Sequence, residues 1–251
     1  MNYYYVNHFL FAPRCQSRPR QGSCEKSGNP THGSGWASGF ESFGLSVYLD
    51  CLMQTRADAW ALLCEYTKSE SLRKHALAVE AVMRAYARRL SEDEDKWGLV
   101  GMLHDFDYEM YPNPPDHPLK GSEILREQGY SDEIRRAILG HANYTGVARD
   151  TLLARGLYAC DELTGFVVAC ALVRPNGIWD LESKSVKKKL KDKAFARTVN
   201  RDEVYEGAEE LSVDLGEHID FIIASLREVA SDVGLKLRGD ELGEDYAQGQ
   251  T

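Results

Sequence analysis

The chain has 251 residues, of which 43% are hydrophobic, and its formal net charge is −9 at pH 7. This composition can supply a hydrophobic core, which excludes a disordered chain, and it lacks the basic footprint of a protein that binds duplex nucleic acid. No apolar run is long enough to cross a bilayer, so no membrane partner is expected. The six cysteines include no Cys-x-x-Cys pair. That absence argues against a thiolate zinc site, and we predict a reducing, cytoplasmic location.

Residues 1–52 differ in composition from the rest of the chain. They are rich in glycine, serine, proline, arginine and aromatic residues and have no helical period. We interpret them as an irregular or disordered extension, or as sequence translated upstream of a start at Met53; a transit peptide is the alternative. Residues 53–236 are predicted to fold as one all-α domain, and residues 237–251 to form a solvated acidic tail.

From residue 55 onward the apolar residues follow a helical period, and no strand pattern competes with it. The third predicted helix is expected to open at a capping box made by Ser91 and Glu94. Four prolines between Tyr111 and Pro118 predict a loop before the fourth. The predicted helices span residues 56–66, 71–90, 91–105, 119–128, 131–141, 150–173, 186–190, 201–213 and 214–233.

Several of these helices carry polar side chains on their buried faces. His75, His104 and His141 each share a stripe with apolar residues, which usually indicates a hydrogen-bonded core histidine. Asp161 lies in a strongly apolar helix, and no basic residue follows it there before Arg174. A buried carboxylate must be paired or bound to a cation. Imidazoles and carboxylates that point inward together are typical ligands of divalent metals, so we predict a metal site.

The order of these residues resembles the signature of the HD-domain superfamily of metal-dependent phosphohydrolases. The stretches that carry the resemblance are His104-Asp-Phe-Asp-Tyr-Glu, Pro-Asp-His117-Pro-Leu-Lys-Gly-Ser-Glu-Ile-Leu, Ile-Leu-Gly-His141 and Cys-Asp161-Glu-Leu-Thr-Gly. They are similar to those of a bacterial subgroup of uncharacterised HD hydrolases, over roughly residues 53–236. Phe106 and Asp107 stand where better-studied members carry Ile-Gly. This departure weakens any inference from the substrates of those members to the substrate of this chain.

The resemblance implies an HD-domain-like helical bundle with one or two divalent metal ions, from among Mn, Mg, Fe, Co, Ni and Zn. The residues implied to hold one ion are His75, His104, Asp105 and Asp161. His117 and His141 are implied to hold a second ion, with Asp105 bridging the two. Asp105 is therefore expected to orient the ions during catalysis.

The expected function is hydrolysis of a phosphoester in a small phosphorylated molecule, with nucleotides among the candidates. Lys120 is the first candidate to bind the substrate phosphate, followed by Arg73 and Lys74. Asp107 and Glu109 are candidate proton donors, or alternatively carboxylates that support the metal ligands or lie in a loop. A lysine-rich run at residues 184–193 is interpreted as a solvated helix face, or as a surface that attracts polyanions if it faces the cleft.

Two other functions stay open at this stage. One is an HD-fold di-iron oxygenase, because ligand identity alone does not separate it from a hydrolase. The other is a non-catalytic domain that binds a metal or senses a ligand. Nothing in the sequence specifies an oligomeric state.

Overall fold

The computed structural model describes residues 54–235, and within that range the chain is all-α, as the sequence predicted. The helices are α1 (Arg56–Tyr66), α2 (Glu70–Leu90), α3 (Glu94–Leu103), α4 (Asp116–Glu127), α5 (Asp132–Gly140), α6 (Leu152–Leu172), α7 (Ser183–Leu190), α8 (Arg201–Glu210) and α9 (Leu215–Glu228). A short 3-10 helix, Asn143–Thr145, lies between α5 and α6. The predicted extension (residues 1–52) and acidic tail (residues 237–251) lie outside the described residues.

Most helices begin where the capping residues in the sequence indicate. The Thr55 hydroxyl accepts from the Asp58 backbone amide at 3.2 Å, and the Asp58 carboxylate accepts from the Thr55 amide at 2.9 Å. This reciprocal pair satisfies two amides that α1 leaves without helical partners. Ser131 and Asp214 cap α5 and α9, as predicted.

The predicted start of α3 is wrong. Ser91 does not open that helix; it ends α2 in the left-handed conformation with φ of 60°. The cap is Asp93, whose carboxylate accepts from the Lys96 amide at 3.0 Å. A three-residue connection between α2 and α3 cannot use Ser91 for both purposes, and the sequence offered two cap signals in one short stretch.

Other helix ends also differ from prediction by a few residues. The fourth helix was expected at residue 119, and regular helical backbone in α4 does begin there, because His117 and Pro118 at its kinked start are non-helical. The last helix was expected to reach residue 233 but ends at Glu228, where turns follow. Thr151 rather than Asp150 caps α6.

Close approaches between helices build the core around α2 and α6. At Gly101 of α3, an added Cβ would lie 2.9 Å from the Glu80 Cα of α2, so a side chain there would force the helices apart. At Gly156 of α6, an added Cβ would lie 2.6 Å from the ring of Trp97, which is buried. These contacts hold the end of α3 between the two long helices.

Residues 54–235 belong to one compact unit. None of the helices in that range is long and apolar enough to cross a membrane. The three cysteines that it contains, Cys64, Cys160 and Cys170, are free thiols.

Candidate metal centre

The six side chains predicted to bind metal converge in two adjacent groups. One group is His75, His104 and Asp161, and the other is Asp105, His117 and His141; within each, the potential ligand atoms lie within 4.8 Å of one another. The six residues come from α2, the segments that follow α3 and α5, the kinked start of α4, and α6. Side chains remote in sequence therefore meet in one place.

The first group is centred on the Asp161 carboxylate. Its Oδ1 atom lies 3.0 Å from His75 Nε2 and 3.2 Å from His104 Nε2. The rings of His75 and His104 meet edge to face, with 5.2 Å between centroids. His75 is contributed by α2 and Asp161 by α6, so the group forms only when these helices pack together.

The second group is centred on Asp105, which also links the two groups. Its Oδ1 atom lies 3.1 Å from His117 Nε2 and 3.4 Å from His141 Nε2. Its Oδ2 atom lies 3.5 Å from His104 Nε2 in the first group. One carboxylate thus presents one oxygen to each group, as a bridging ligand must.

Backbone carbonyls fix two of the imidazoles. His104 Nδ1 lies 2.8 Å from the Gly101 carbonyl oxygen, and His141 Nδ1 is hydrogen-bonded to the Ile138 carbonyl oxygen. Because a carbonyl only accepts, each Nδ1 must carry the proton and donate it. In the neutral ring the Nε2 lone pair then faces the group, which is the tautomer that binds a metal.

Asp107 fixes the third imidazole. Its Oδ1 accepts from His117 Nδ1 at 2.8 Å, and its Oδ2 accepts from the Gly121 amide at 2.8 Å. Asp107 is fully buried, and a Cβ at position 121 would lie 2.7 Å from its carboxyl carbon. These contacts favour a role for Asp107 in orienting His117, and its role as a proton donor stays a prediction.

Arg73 is engaged by backbone carbonyls. Its Nε donates to the Thr67 carbonyl at 2.7 Å and its Nη2 to the Cys64 carbonyl at 3.1 Å. The guanidinium satisfies carbonyls that the end of α1 leaves without helical partners, which is a structural role. The phosphate-binding role of Arg73 stays a prediction.

Lys74 and Lys120 are each paired with a carboxylate of their own helix. Lys74 Nζ lies 2.5 Å from Glu70 Oε1, and Lys120 Nζ lies 3.7 Å from Glu123 Oε2. Lys120 is half exposed and follows His117 by three residues. The phosphate-binding roles of Lys120 and Lys74 both stay predictions.

The lysine-rich run forms α7 and the residues after it. Lys187 and Lys188 are exposed, and α7 packs on α9 and α6. Lys189 of α7 lies close enough to Cys170 for its charge to act on that thiol. Cys170 is nine residues beyond Asp161 on α6, which is about 13 Å along the helix axis. This position favours the interpretation of a solvated helix face.

A polar cluster that the sequence did not reveal lies at the rim of the site. Asn143 Nδ2 donates to the Tyr158 hydroxyl at 3.0 Å and to Glu203 Oε1 at 3.3 Å. Burial and the Asp161 carboxylate raise the pKa of Glu203, against the lowering effects of Asn200 and His141. Glu203 looks in the sequence like an ordinary first-turn acid of α8, and only the packing of α8 on α6 brings it here.

The electrostatics of the two groups are those of paired acids and imidazoles. Burial alone would lower the pKa of His104, but the Asp105 and Asp161 carboxylates raise it well above its usual value. For His117, burial is likewise outweighed by Asp105 and Asp107, which raise its pKa to about 9. Burial would raise the pKa of Asp105 and Asp161, yet their histidine partners hold both well below the usual range.

The residues fit a divalent cation. The buried atoms His104 Nε2 and Asp105 Oδ2, which face each other, make no hydrogen bond. Unsatisfied buried polar atoms are rare and call for a missing partner. Imidazole nitrogens and carboxylate oxygens are the ligands that Mn, Fe, Co, Ni and Zn accept.

The fold and site define an all-α protein with a histidine–aspartate cluster suited to metal. The HD domain family model matches residues 72–165, a range that contains all six clustered residues. This match confirms the resemblance found in the sequence and is consistent with an HD-domain protein. HD domains bind divalent metals, and the family consists mostly of hydrolases. No solved structure matches the chain.

Proposed function

We propose that this protein is a metal-dependent phosphohydrolase that cleaves a phosphoester of a small phosphorylated molecule. The observation that carries the proposal is the Asp105 carboxylate, whose two oxygens face two separate groups of histidines. Two cations a few ångströms apart are the arrangement that suits attack on a phosphate. The HD domain supports hydrolase-type chemistry, and the phosphoester is our extension of it.

His75, His104 and Asp161 would hold one cation, His117 and His141 the other, and Asp105 would contribute an oxygen to both. A divalent cation supplies Lewis acidity, which lowers the pKa of a water molecule to about 7 and neutralises charge on a phosphate oxygen. The protein's own contribution is to fix the ligands before substrate arrives. The carbonyls of Gly101 and Ile138 hold two of the imidazoles in place for that purpose.

Tyr144 closes one side of the site. Its hydroxyl donates to the His117 carbonyl at 2.6 Å, and its side chain is about half exposed at the rim. Because His117 sits at the kink of α4, this hydrogen bond helps to hold the kinked backbone. The exposed part of the ring is available to the organic part of a substrate.

The test uses the full chain purified without chelator. We expect metal analysis to find one or two divalent ions per chain, and a screen of phosphate esters with Mn, Mg, Co, Ni and Fe to detect phosphate release. Asp105→Ala should abolish that release, because it removes an oxygen from both groups. Asp232→Asn, an exposed aspartate in the turn after α9, is the matched control and should keep full activity.

Other outcomes would assign other functions. Oxygen uptake by the iron-loaded protein, without phosphate release, would identify a di-iron oxygenase. Bound metal without turnover of any phosphate ester would indicate a non-catalytic domain. Either result would overturn the phosphohydrolase proposal.

A further inference from the structure

The rim of the metal centre next to α8 offers an anionic hydrogen-bond acceptor. Glu203 is partly buried at the start of α8, and its Oε1 accepts from Asn143, two residues beyond His141. The Tyr158 hydroxyl, three residues before Asp161, accepts from the same amide. The Glu203 carboxylate is thus tied to residues that flank members of both metal-ligand groups.

The surroundings of Glu203 orient its carboxylate without neutralising it. The Asn143 side chain is held in one orientation, because its Oδ1 accepts from Arg149 Nη1 at 2.9 Å. Arg149 itself is committed to Glu210, with a distance of 2.7 Å between Nε and Oε2. The nearby cation is therefore already paired, and Asn143 supplies a hydrogen bond but no charge.

The packing beneath this rim is close. An added Cβ at Gly207 would lie 2.7 Å from the Ala159 Cα, so α8 sits against the backbone of α6. Tyr158 also donates to Glu206 Oε2 at 2.9 Å, a second link between the two helices. The position of Glu203 relative to the Asp161 face of α6 is consequently fixed by the fold rather than by a flexible loop.

We propose that Glu203, oriented by Asn143, is a specificity-determining residue that binds a hydrogen-bond donor on the organic part of a phosphomonoester substrate. The donor is a hydroxyl or an ammonium group. The inference rests on the proposed phosphohydrolase function and adds a substrate class to it. A carboxylate accepts hydrogen bonds at about four lone-pair positions, of which Asn143 and Asn200 use only part.

The same charge disfavours substrates with a second anionic group. A carboxylate on the organic part of the substrate would face Glu203, with Glu206 close by on α8. Like charges in a partly dehydrated cleft repel more strongly than in water. Removal of the Glu203 charge should therefore act in opposite directions on cationic and anionic substrates.

Steady-state kinetics of the metal-loaded full chain test this with four phosphomonoesters: phosphoethanolamine, glycerol phosphate, phosphoglycolate and phenyl phosphate. Glu203→Gln should lower kcat/KM for phosphoethanolamine at least tenfold, mainly through KM, and raise it several-fold for phosphoglycolate. Phenyl phosphate, which has no donor, should stay within twofold. The inhibition constant of inorganic phosphate should also stay within twofold, because the metal centre is intact.

A second variant separates the two kinds of donor. Glutamine keeps an acceptor oxygen, so a hydroxyl donor should lose much more activity in Glu203→Ala than in Glu203→Gln, whereas an ammonium donor should lose it in both. Glu209→Gln, an exposed glutamate of the same helix, is the control and should leave all four substrates unchanged. Metal content and circular dichroism check that the variants fold.

Two results would overturn the inference alone. One is an equal change of kcat/KM for all four substrates in Glu203→Gln. The other is a wild-type kcat/KM for phenyl phosphate equal to that for the donor-bearing esters, with the same fold-loss for all of these esters in the variant. No hydrolysis of any ester by the metal-loaded wild type would overturn the proposed function, and this inference with it.

Discussion

At the scale of single residues, the carboxylate of Asp107 serves the metal centre without belonging to it. It is buried, and its oxygens accept from His117 Nδ1 and from the Gly121 amide. A carboxylate behind a histidine fixes the tautomer and increases the basicity of the nitrogen that faces the metal. The position of His117 in the second group therefore depends on a side chain that touches no substrate.

We expect Asp107→Asn to weaken metal binding. An asparagine has one acceptor oxygen, so it cannot accept from both the His117 ring and the Gly121 amide, and its amide group meets one of these donors unfavourably. The affinity of the second group should fall by about 10–100-fold. Calorimetric titration of the metal-free protein with Mn or Co measures this affinity.

Asp116→Asn provides the matched control for this titration. Asp116 is exposed and precedes His117 directly, so its substitution changes the local charge without touching the imidazole. Equal affinities in the wild type and Asp107→Asn would show that the buried carboxylate does not support metal binding.

The sequence predicted the six clustered residues because each has a local signature. His75, His104 and Asp161 lie on apolar helix faces, and His117 and His141 stand in stretches that resemble a known family. The phosphate-binding and proton-donor roles had no such signature. Arg73 and Asp107 lie near clustered residues in sequence, but Arg73 donates to backbone carbonyls, and Asp107 accepts from the His117 ring and the Gly121 amide.

At the scale of helices, the contact between α6 and α8 depends on Gly207. Gly207→Ala should lower the free energy of unfolding, although alanine is normally the better helix former by up to about 1 kcal/mol. The added Cβ would lie 2.7 Å from the Ala159 Cα, and backbone atoms cannot move aside as a flexible side chain can. A net loss of about 1 kcal/mol or more is expected.

Urea denaturation measures the effect of Gly207→Ala. Glu209→Ala, at an exposed position of the same helix, should keep or slightly increase the stability. If Gly207→Ala is stabilised as much as this control, the two helices are not in close backbone contact at Gly207.

Helix positions were predictable from the sequence wherever one cap signal stood alone. The bounds of α1, residues 56–66, were predicted correctly, and in the structure a reciprocal Thr55–Asp58 pair marks its start. The predictions failed where two cap signals compete, as at Ser91 and Asp93. They also failed after Glu228, where buried apolar residues continue the pattern but the backbone forms turns. Packing between helices decides such cases, and packing is not local in sequence.

At the scale of the whole molecule, His218 makes the stability of the fold depend on pH. His218 is fully buried; its Nε2 donates to the Ala159 carbonyl at 2.9 Å, and its Nδ1 accepts from the Tyr86 hydroxyl at 2.6 Å. Burial lowers the pKa of His218 to about 4, with a smaller contribution from the charge of Arg89. In the unfolded chain the pKa of histidine is about 6.5.

A lowered histidine pKa means that the unfolded state takes up the proton first. The contribution of the neutral His218 imidazole to stability is therefore complete above about pH 6.5 and is lost as the pH falls toward about 4. Between about pH 7 and pH 4.5 the loss amounts to about 2.5 kcal/mol. His218→Gln cannot gain that proton, so the stability difference between wild type and variant should shrink by about this amount over the same interval.

Urea denaturation at several pH values, with chelator present throughout, measures the difference. The acid–histidine pairs of the metal centre titrate in both proteins, and the comparison between them removes that common background. Parallel stability curves for the wild type and His218→Gln would contradict a buried neutral imidazole at this position.

The sequence predicted the fold of the whole domain more reliably than the surroundings of its site. The all-α class follows from a helical period that runs through nearly every segment from residue 55. The rim formed by Asn143, Tyr158 and Glu203 does not, because these residues are separated by up to 60 positions and share no motif. The boundaries of the predicted domain, residues 53–236, stay predictions.

The assembly of the pocket from distant segments has a practical consequence. His75 and Asp161 are 86 positions apart, and their partners come from the segments between them. A fragment that lacks α2 or α6, or a collapsed intermediate with correct helices but loose side chains, would lack this constellation. Tight uptake of cobalt by the first group, which needs both α2 and α6, would therefore report that tertiary order is complete, and a purified sample can be judged native by that uptake before any substrate is known.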